Sequence, residues 1–143
     1  MVRSKRNKKT RYRGTTLVEA AIVFPFLLIF TLGIIHYGWL YWKTQEITNA
    51  ARHGARMAVR PDAVEAEIRA AIDNLLDVPV VRDSGYVVQF TPADISAPET
   101  GEPLNCTISV PATNIAIITG DLFLNPLAGV DVVASITMAK EGP

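Results

Sequence analysis

One cysteine and two histidines are all that the 143-residue sequence offers of the residue types that most often bind metals or build nucleophilic sites. A single thiol, Cys106, excludes an intramolecular disulfide, so no covalent staple holds the chain. His36 and His53 are too far apart to share a metal within one chain, about 25 Å along a continuous helix. There is no Cys pair, no His-x-x-x-His and no Gly-rich phosphate loop, so no cofactor is expected. Serines and aspartates are present, but no histidine after His53 can activate a serine. An enzyme is therefore not expected.

Acids are missing from Met1 to Arg13, while half of the 14 basic residues lie there: Arg3, Lys5, Arg6, Lys8, Lys9, Arg11 and Arg13. The formal net charge of zero conceals this arm, because everything after Gly14 carries an excess of acids. A basic arm can indicate nucleic acid. Here it precedes a long apolar segment, and that context favours a topology signal over a nucleic-acid tail; no nucleic-acid partner is expected.

Charge of either sign is absent from the whole run between Ala20 and Trp42. As a helix this run is about 35 Å long, enough to cross a hydrocarbon core of about 30 Å. It exceeds the apolar stretch of about 7–15 residues usual in a secretory signal, and aromatics stand where a small-residue cleavage site would be needed. Tyr37, Trp39, Tyr41 and Trp42 read as an aromatic belt at the outer water–lipid boundary. Lys43, Arg52, Arg56 and Arg60 follow, so the charge bias is seven against four and places the N-terminus in the cytoplasm.

Proline is nearly missing from the chain ahead of Pro61, where Pro25 stands alone. The helix is therefore expected to run on past the span. Four parts result: a basic leader at 1–14, a transmembrane helix at 15–42, a helical extension at 43–60, and a small extracytoplasmic α+β domain at 61–143. In the extension, Ile47, Ala50, Gly54 and Ala58 share one side, and small residues at this spacing let another backbone approach closely. Arg52, Arg56 and Arg60 line the opposite side as a basic face, either solvated or in contact with lipid phosphates or an acidic partner.

A second helix is expected from Pro61, with an apolar stripe of Val64, Ile68, Ala71, Ile72, Leu75 and Leu76, closed by Pro79. Strands are expected at Tyr86–Phe90, over Leu104, Cys106, Ile108 and Val110, and over Val132, Ala134, Ile136 and Met138. The fold class is thus α+β: a long N-terminal helix, an amphipathic helix and a small antiparallel sheet of about three strands. At its size the 61–143 domain needs the upper part of the long helix, or a partner, to complete its packing. The apolar stretch from Ile115 to Leu124 is a candidate for core or for a contact surface.

One acid breaks the apolar pattern at the entrance to the span. The basic leader ends in Gly14, and Glu19 is the fifth residue after it. Gly14-Thr-Thr-Leu-Val-Glu19 followed by an apolar helix resembles the class III signal of type IV pilin-like proteins. In that class a membrane-embedded prepilin peptidase cuts after the glycine and leaves the helix attached. The resemblance implies Gly14 and Thr15 as the scissile pair. It also implies that Glu19 makes an assembly contact with the Thr15 ammonium of another subunit. The longer segment 14–59 resembles the TadE-like family of the tight-adherence (Tad/Flp) pilus and secretion apparatus. The features that carry this are Val18-Glu19, Phe24-Pro25, Gly33, Tyr37-Gly38, Asn49-Ala-Ala-Arg52 and Gly54-Ala-Arg56. Ala20 stands where family members often have Phe, and His36 stands near a point where many have an acid.

The implied function is a membrane-anchored, pseudopilin-like component of such an apparatus. Its partners would be the prepilin peptidase, other pilin-like or Tad machinery subunits, and the lipid bilayer. Pro25 is either a kink that shapes helix packing or a tolerated membrane proline. The alternative is an unprocessed single-pass protein that presents a small extracytoplasmic binding domain.

Overall fold

The computed structural model describes residues 12–77, 79–117 and 128–142, with side chains from residue 16 onward except at residue 79. The leader up to residue 11 and the 118–124 part of the apolar stretch lie outside the described residues. The chain divides into two compact units, one ending at Tyr37 and one from Gly38 onward.

The helix α1 runs from Tyr12 to Ala58 and contains Pro25. Its continuity follows from composition, since no other proline occurs in its 47 residues. In the first unit its surface beyond Glu19 is apolar all round. Leu17, Phe26 and Phe30 are each at least 70% exposed, and Ile22, Phe24 and Ile34 are also open. A helix with apolar side chains on every face belongs in lipid. Thr31 avoids a stranded hydroxyl by donating to the Leu27 carbonyl at 2.8 Å, one turn back. Among the described residues this is the single helix long and apolar enough to cross a membrane, as a single-pass protein requires.

The second unit is an α+β body built on the upper end of α1. A turn closes α1: the Ala63 N–H donates to the Arg60 carbonyl at 3.3 Å, with Pro61 at the position its fixed φ suits. The helix α2 then spans Glu65–Leu75. It starts later than Pro61, because the turn consumes the intervening residues and Val64 is extended, with φ −110° and ψ 121°. Glu65 and Glu67 in its first turn complement the helix dipole.

Its buried seam is narrower than the expected stripe. Ile68, Ile72 and Leu76 are enclosed, whereas Val64 and Leu75 are about half exposed at 51% and 49%. Val64 precedes the helix, and Leu75 lies about 100° round from Leu76, off the i, i+4, i+8 line. Pro79 does not close α2, which ends before it. It opens the short helix α3, Pro79–Arg82, at the first helical position where a missing N–H costs nothing.

Three strands follow: β1 Val87–Thr91, β2 Pro103–Pro111 and β3 Asp131–Ala139. They form an antiparallel sheet in the order β1-β2-β3, with Cys106 opposite Phe90 on one side and Ile136 on the other. The short helix α4, Ala112–Ile115, leaves the end of β2. Period-two alternation separates the faces. Leu104, Cys106, Ile108 and Val110 are buried, while Asn105, Thr107 and Ser109 turn to the other side. On that polar face the Ser135 hydroxyl donates to Asn105 Oδ1 at 2.9 Å.

The core lies between the sheet's apolar face and the two helices. The upper part of α1 contributes Ile47, Ala50, Ala51, Ala55 and Ala58, all within 1% of complete burial. The neighbour at its small-residue side comes from the same chain. A Cβ on Gly54 would stand 2.5 Å from Ile72 Cδ1 and 3.4 Å from Cys106 Sγ. The body thus uses the upper part of α1 to complete its packing.

Candidate functional site

The residues singled out in the sequence fall into two groups on α1. Gly14 and Thr15 lie in its first residues as helical backbone. Glu19 follows Thr15 by about one turn, roughly 6 Å along the axis. Its side chain is exposed, and it sits among Leu17, Val18, Ile22 and Val23, which are exposed too. Among the described residues it takes part in none of the ion pairs. Pro25 lies further along the same exposed, apolar length. His36 is half-buried, its ring edge-on to Tyr37 at 5.7 Å, and its Nδ1 has no partner among the described residues.

The second group is on the upper part of α1. Ala50, Gly54 and Ala58 face the core, and Arg52, Arg56 and Arg60 are exposed on the other side with His53. None of the three arginines is in an ion pair among the described residues. The helix therefore has one face spent on its own body and one basic face open.

Between the groups, an aromatic pair, a cation and an acid come together as one constellation. Trp39 and Trp42 pack edge-on at 5.3 Å. The Lys43 ammonium lies 5.0 Å and 4.9 Å from their ring centroids and pairs with Glu46 at 2.7 Å. Lys43 is 1% exposed, so it is not a free charge beyond the span. Each indole face attracts a cation by about 0.5–2 kcal/mol, more when desolvated. Trp39 is also more than a member of an aromatic belt: its Nε1–H donates to the Ile115 carbonyl at 2.9 Å. The spacing carried part of this signal, because Trp39 and Lys43 are four apart, and Lys43 and Glu46 three apart, on one helix. Nothing in the sequence pointed to Ile115 as the indole's acceptor.

A second missed residue is Lys140. Its side chain is buried, and its Nζ donates to the carbonyls of Ala58 at 3.2 Å, Arg60 at 3.0 Å and Ile95 at 3.0 Å. Two of these acceptors belong to the end of α1 and the turn after it, where carbonyls lack helical donors and the dipole favours a cation. An open cleft of about 490 Å³ adjoins it, lined by Pro61, Pro98, Glu99, Thr100, Lys140 and Glu141. The ammonium there is committed to carbonyls, and the cleft's lining holds no cysteine, serine or histidine.

The remaining perturbed groups hold the body together. Burial pushes the Cys106 thiol up to about 11. Burial, with the 2.6 Å hydrogen bond to Asp73, pushes the Tyr86 phenol up to about 12. Hydrogen bonds from the hydroxyl and backbone N–H of Ser96 hold the Asp94 carboxyl below its usual range. Arg69 lies 5.6 Å over the Phe90 ring, donates to the Val88 carbonyl and pairs with Glu65. Among the described residues no three His, Cys, Asp or Glu side chains gather as a metal site.

No curated protein and no solved structure matches the chain. Along α1, residues 14–56 match the family model described as TadE-like protein, the family to which the motifs of that segment point.

Proposed function

We propose that the protein is a membrane-anchored, pseudopilin-like component of a Tad/Flp-type pilus assembly or secretion apparatus. In this reading a prepilin peptidase cuts between Gly14 and Thr15, and the protein assembles with other subunits through α1. The supporting observation is the family match over residues 14–56, which begins at the glycine and contains Glu19 five residues on. The leader stays in the cytoplasm, α1 crosses the inner membrane once, and the body lies outside.

The division of α1 supports the assembly role. Ala50, Gly54 and Ala58 are occupied by the body's own core, so subunit contacts fall to the exposed length that carries Glu19 and Pro25. An acid near the centre of a lipid-exposed helix costs about 2.5–3.5 kcal/mol, and less near its end. A freed Thr15 ammonium on a neighbouring subunit is the partner that removes this cost for Glu19. The basic face of Arg52, Arg56 and Arg60 remains open for an acidic subunit surface.

Co-expression with the prepilin peptidase, followed by mass spectrometry of the N-terminus, tests the proposal. A chain beginning at Thr15, lost in Gly14→Ala, is the expected result. An intact leader in the presence of active peptidase refutes processing and leaves a tethered binding domain. Glu19→Ala should insert normally yet fail to assemble; normal piliation refutes the contact.

A further inference from the structure

The α4 end of the body is tied to the residue that marks the edge of the membrane. From Ala20, where the charge-free run begins, to Trp39 is about 28 Å along the helix, close to the thickness of the hydrocarbon core. Indoles at such a boundary usually turn their N–H toward water or headgroups. The Trp39 N–H is instead bonded to the Ile115 carbonyl, at the C-terminal end of α4. That bond fixes the end of α4 at the depth of Trp39.

The residues next to the bond along both segments are apolar or uncharged. Ile117, two residues past Ile115, is 50% exposed, and Tyr41 and Trp42 beside Trp39 are 68% and 54% exposed. The sequence from Pro111 to Gly120 contains no ionisable side chain. The cation on this turn of α1, Lys43, is enclosed by two indoles and neutralised by Glu46. Moving α4 and this turn into headgroups therefore desolvates no unpaired charge on either. It shelters a large aliphatic side chain and two exposed aromatics of the kind that lie in that zone.

We propose that the α4 end of the body, with Ile117, Tyr41 and Trp42, rests in the headgroup region of the bilayer that α1 spans. The α4 end then meets lipid at the depth of Trp39. The occupant of the patch is lipid, because the patch continues the boundary already set by α1. This rests on the membrane span and not on processing or pilus assembly, so the two can fail separately.

The test uses the full chain in vesicles of phosphatidylcholine and phosphatidylglycerol. Ile117→Cys carries an environment-sensitive NBD label, while the buried native Cys106 stays unlabelled, with wild-type protein as the blank. Glu99→Cys, beside the Lys140 cleft at the other end of α1's buried length, is the water-exposed control. Expected is a blue-shifted label at position 117, quenched about twofold or more by lipids spin-labelled near the headgroup, with no quenching at position 99. Trp39→Phe, which keeps a ring but removes the N–H, should reduce the quenching at 117. A label at 117 as wet as that at 99 overturns the proposal. Protection that depends on protein concentration without lipid quenching also overturns it, in favour of a second protein. If Ile117→Cys exposes Cys106, Thr113→Cys in α4 replaces it with the same outcomes.

Discussion

Lys140→Met removes one ammonium, keeps most of the aliphatic stem, and withdraws the donor from three carbonyls. The loss is uneven. The Arg60 carbonyl still accepts from the Ala63 N–H, whereas the bonds to Ala58 and Ile95 are the buried ones. A buried acceptor left without its donor costs about 1–3 kcal/mol. Loss of a cation near the end of α1 adds about 0.3–1 kcal/mol. Relief from holding an ammonium in a nearly closed site offsets part of this, leaving a net of about 2–3 kcal/mol. For a body of this size that is a fall in Tm of about 10 °C.

Cys106 supplies the assay. It is the single cysteine and fully buried, so a thiol-reactive fluorogenic dye reports the opening of the body while α1 remains in detergent. The midpoint of dye uptake on heating should fall by that amount in Lys140→Met. Lys140→Arg should lie between, since a planar guanidinium does not aim its donors at three converging carbonyls as an ammonium does. Midpoints for Lys140→Met within about 2 °C of wild type would refute the view that this ammonium holds the end of α1.

Other substitutions test the packing and the titrating groups. Gly54→Ala gains about 1 kcal/mol of helix propensity but drives a methyl into Ile72, for a net destabilisation of about 1 kcal/mol. Ile72→Val, which removes the methyl that clashes, should cost less in that background than in wild type when both are compared by thermal unfolding. Cys106 in the folded protein should resist maleimides at about pH 8, because burial keeps it a thiol, and should react once the body is unfolded. The Tyr86 phenol has a folded value of about 12, above its ordinary value of 10.0, so it contributes stability below pH 10 that is lost as pH rises toward 12. Tyrosinate absorbance should show a late-titrating component that is lost in Tyr86→Phe.

The parts readable from sequence were those whose cause is local. The charge-free run from Ala20 to Trp42 needs only its length set against bilayer thickness, and it lies within α1, the one helix among the described residues long and apolar enough to cross a membrane. The alternation through Leu104, Cys106, Ile108 and Val110 places the central strand, whose apolar side chains are all buried. The amphipathic stripe of α2 was read too broadly, because its edges depend on how much of the helix the sheet reaches. Pro61 and Pro79 were each read by one of proline's two habits and show the other: Pro61 sits in a turn and Pro79 starts a helix. Lys140 and the Trp39–Ile115 bond escaped notice for a different reason. Their partners are 82 and 76 residues away, and no local pattern announces them. At the N-terminal end of α1 the balance is reversed. Gly14, Thr15 and Glu19 are conspicuous in the sequence, while the partners proposed for them are other proteins.

The Lys140 contact also couples parts of the body that are distant in the sequence. Its ammonium and the Ala58 carbonyl are 82 residues apart, and all three strands lie between them. Closing so long a loop costs on the order of 4 kcal/mol before any contact repays it. Pairing of β3 with β2 closes most of that loop in advance, because Lys140 directly follows β3. A variant without this ammonium would keep the membrane helix but leave the Ala58 carbonyl without this donor. The end of α1 is thus coupled to β3, so a change that loosens the strand also withdraws the ammonium from the last carbonyls of a helix about 80 residues earlier.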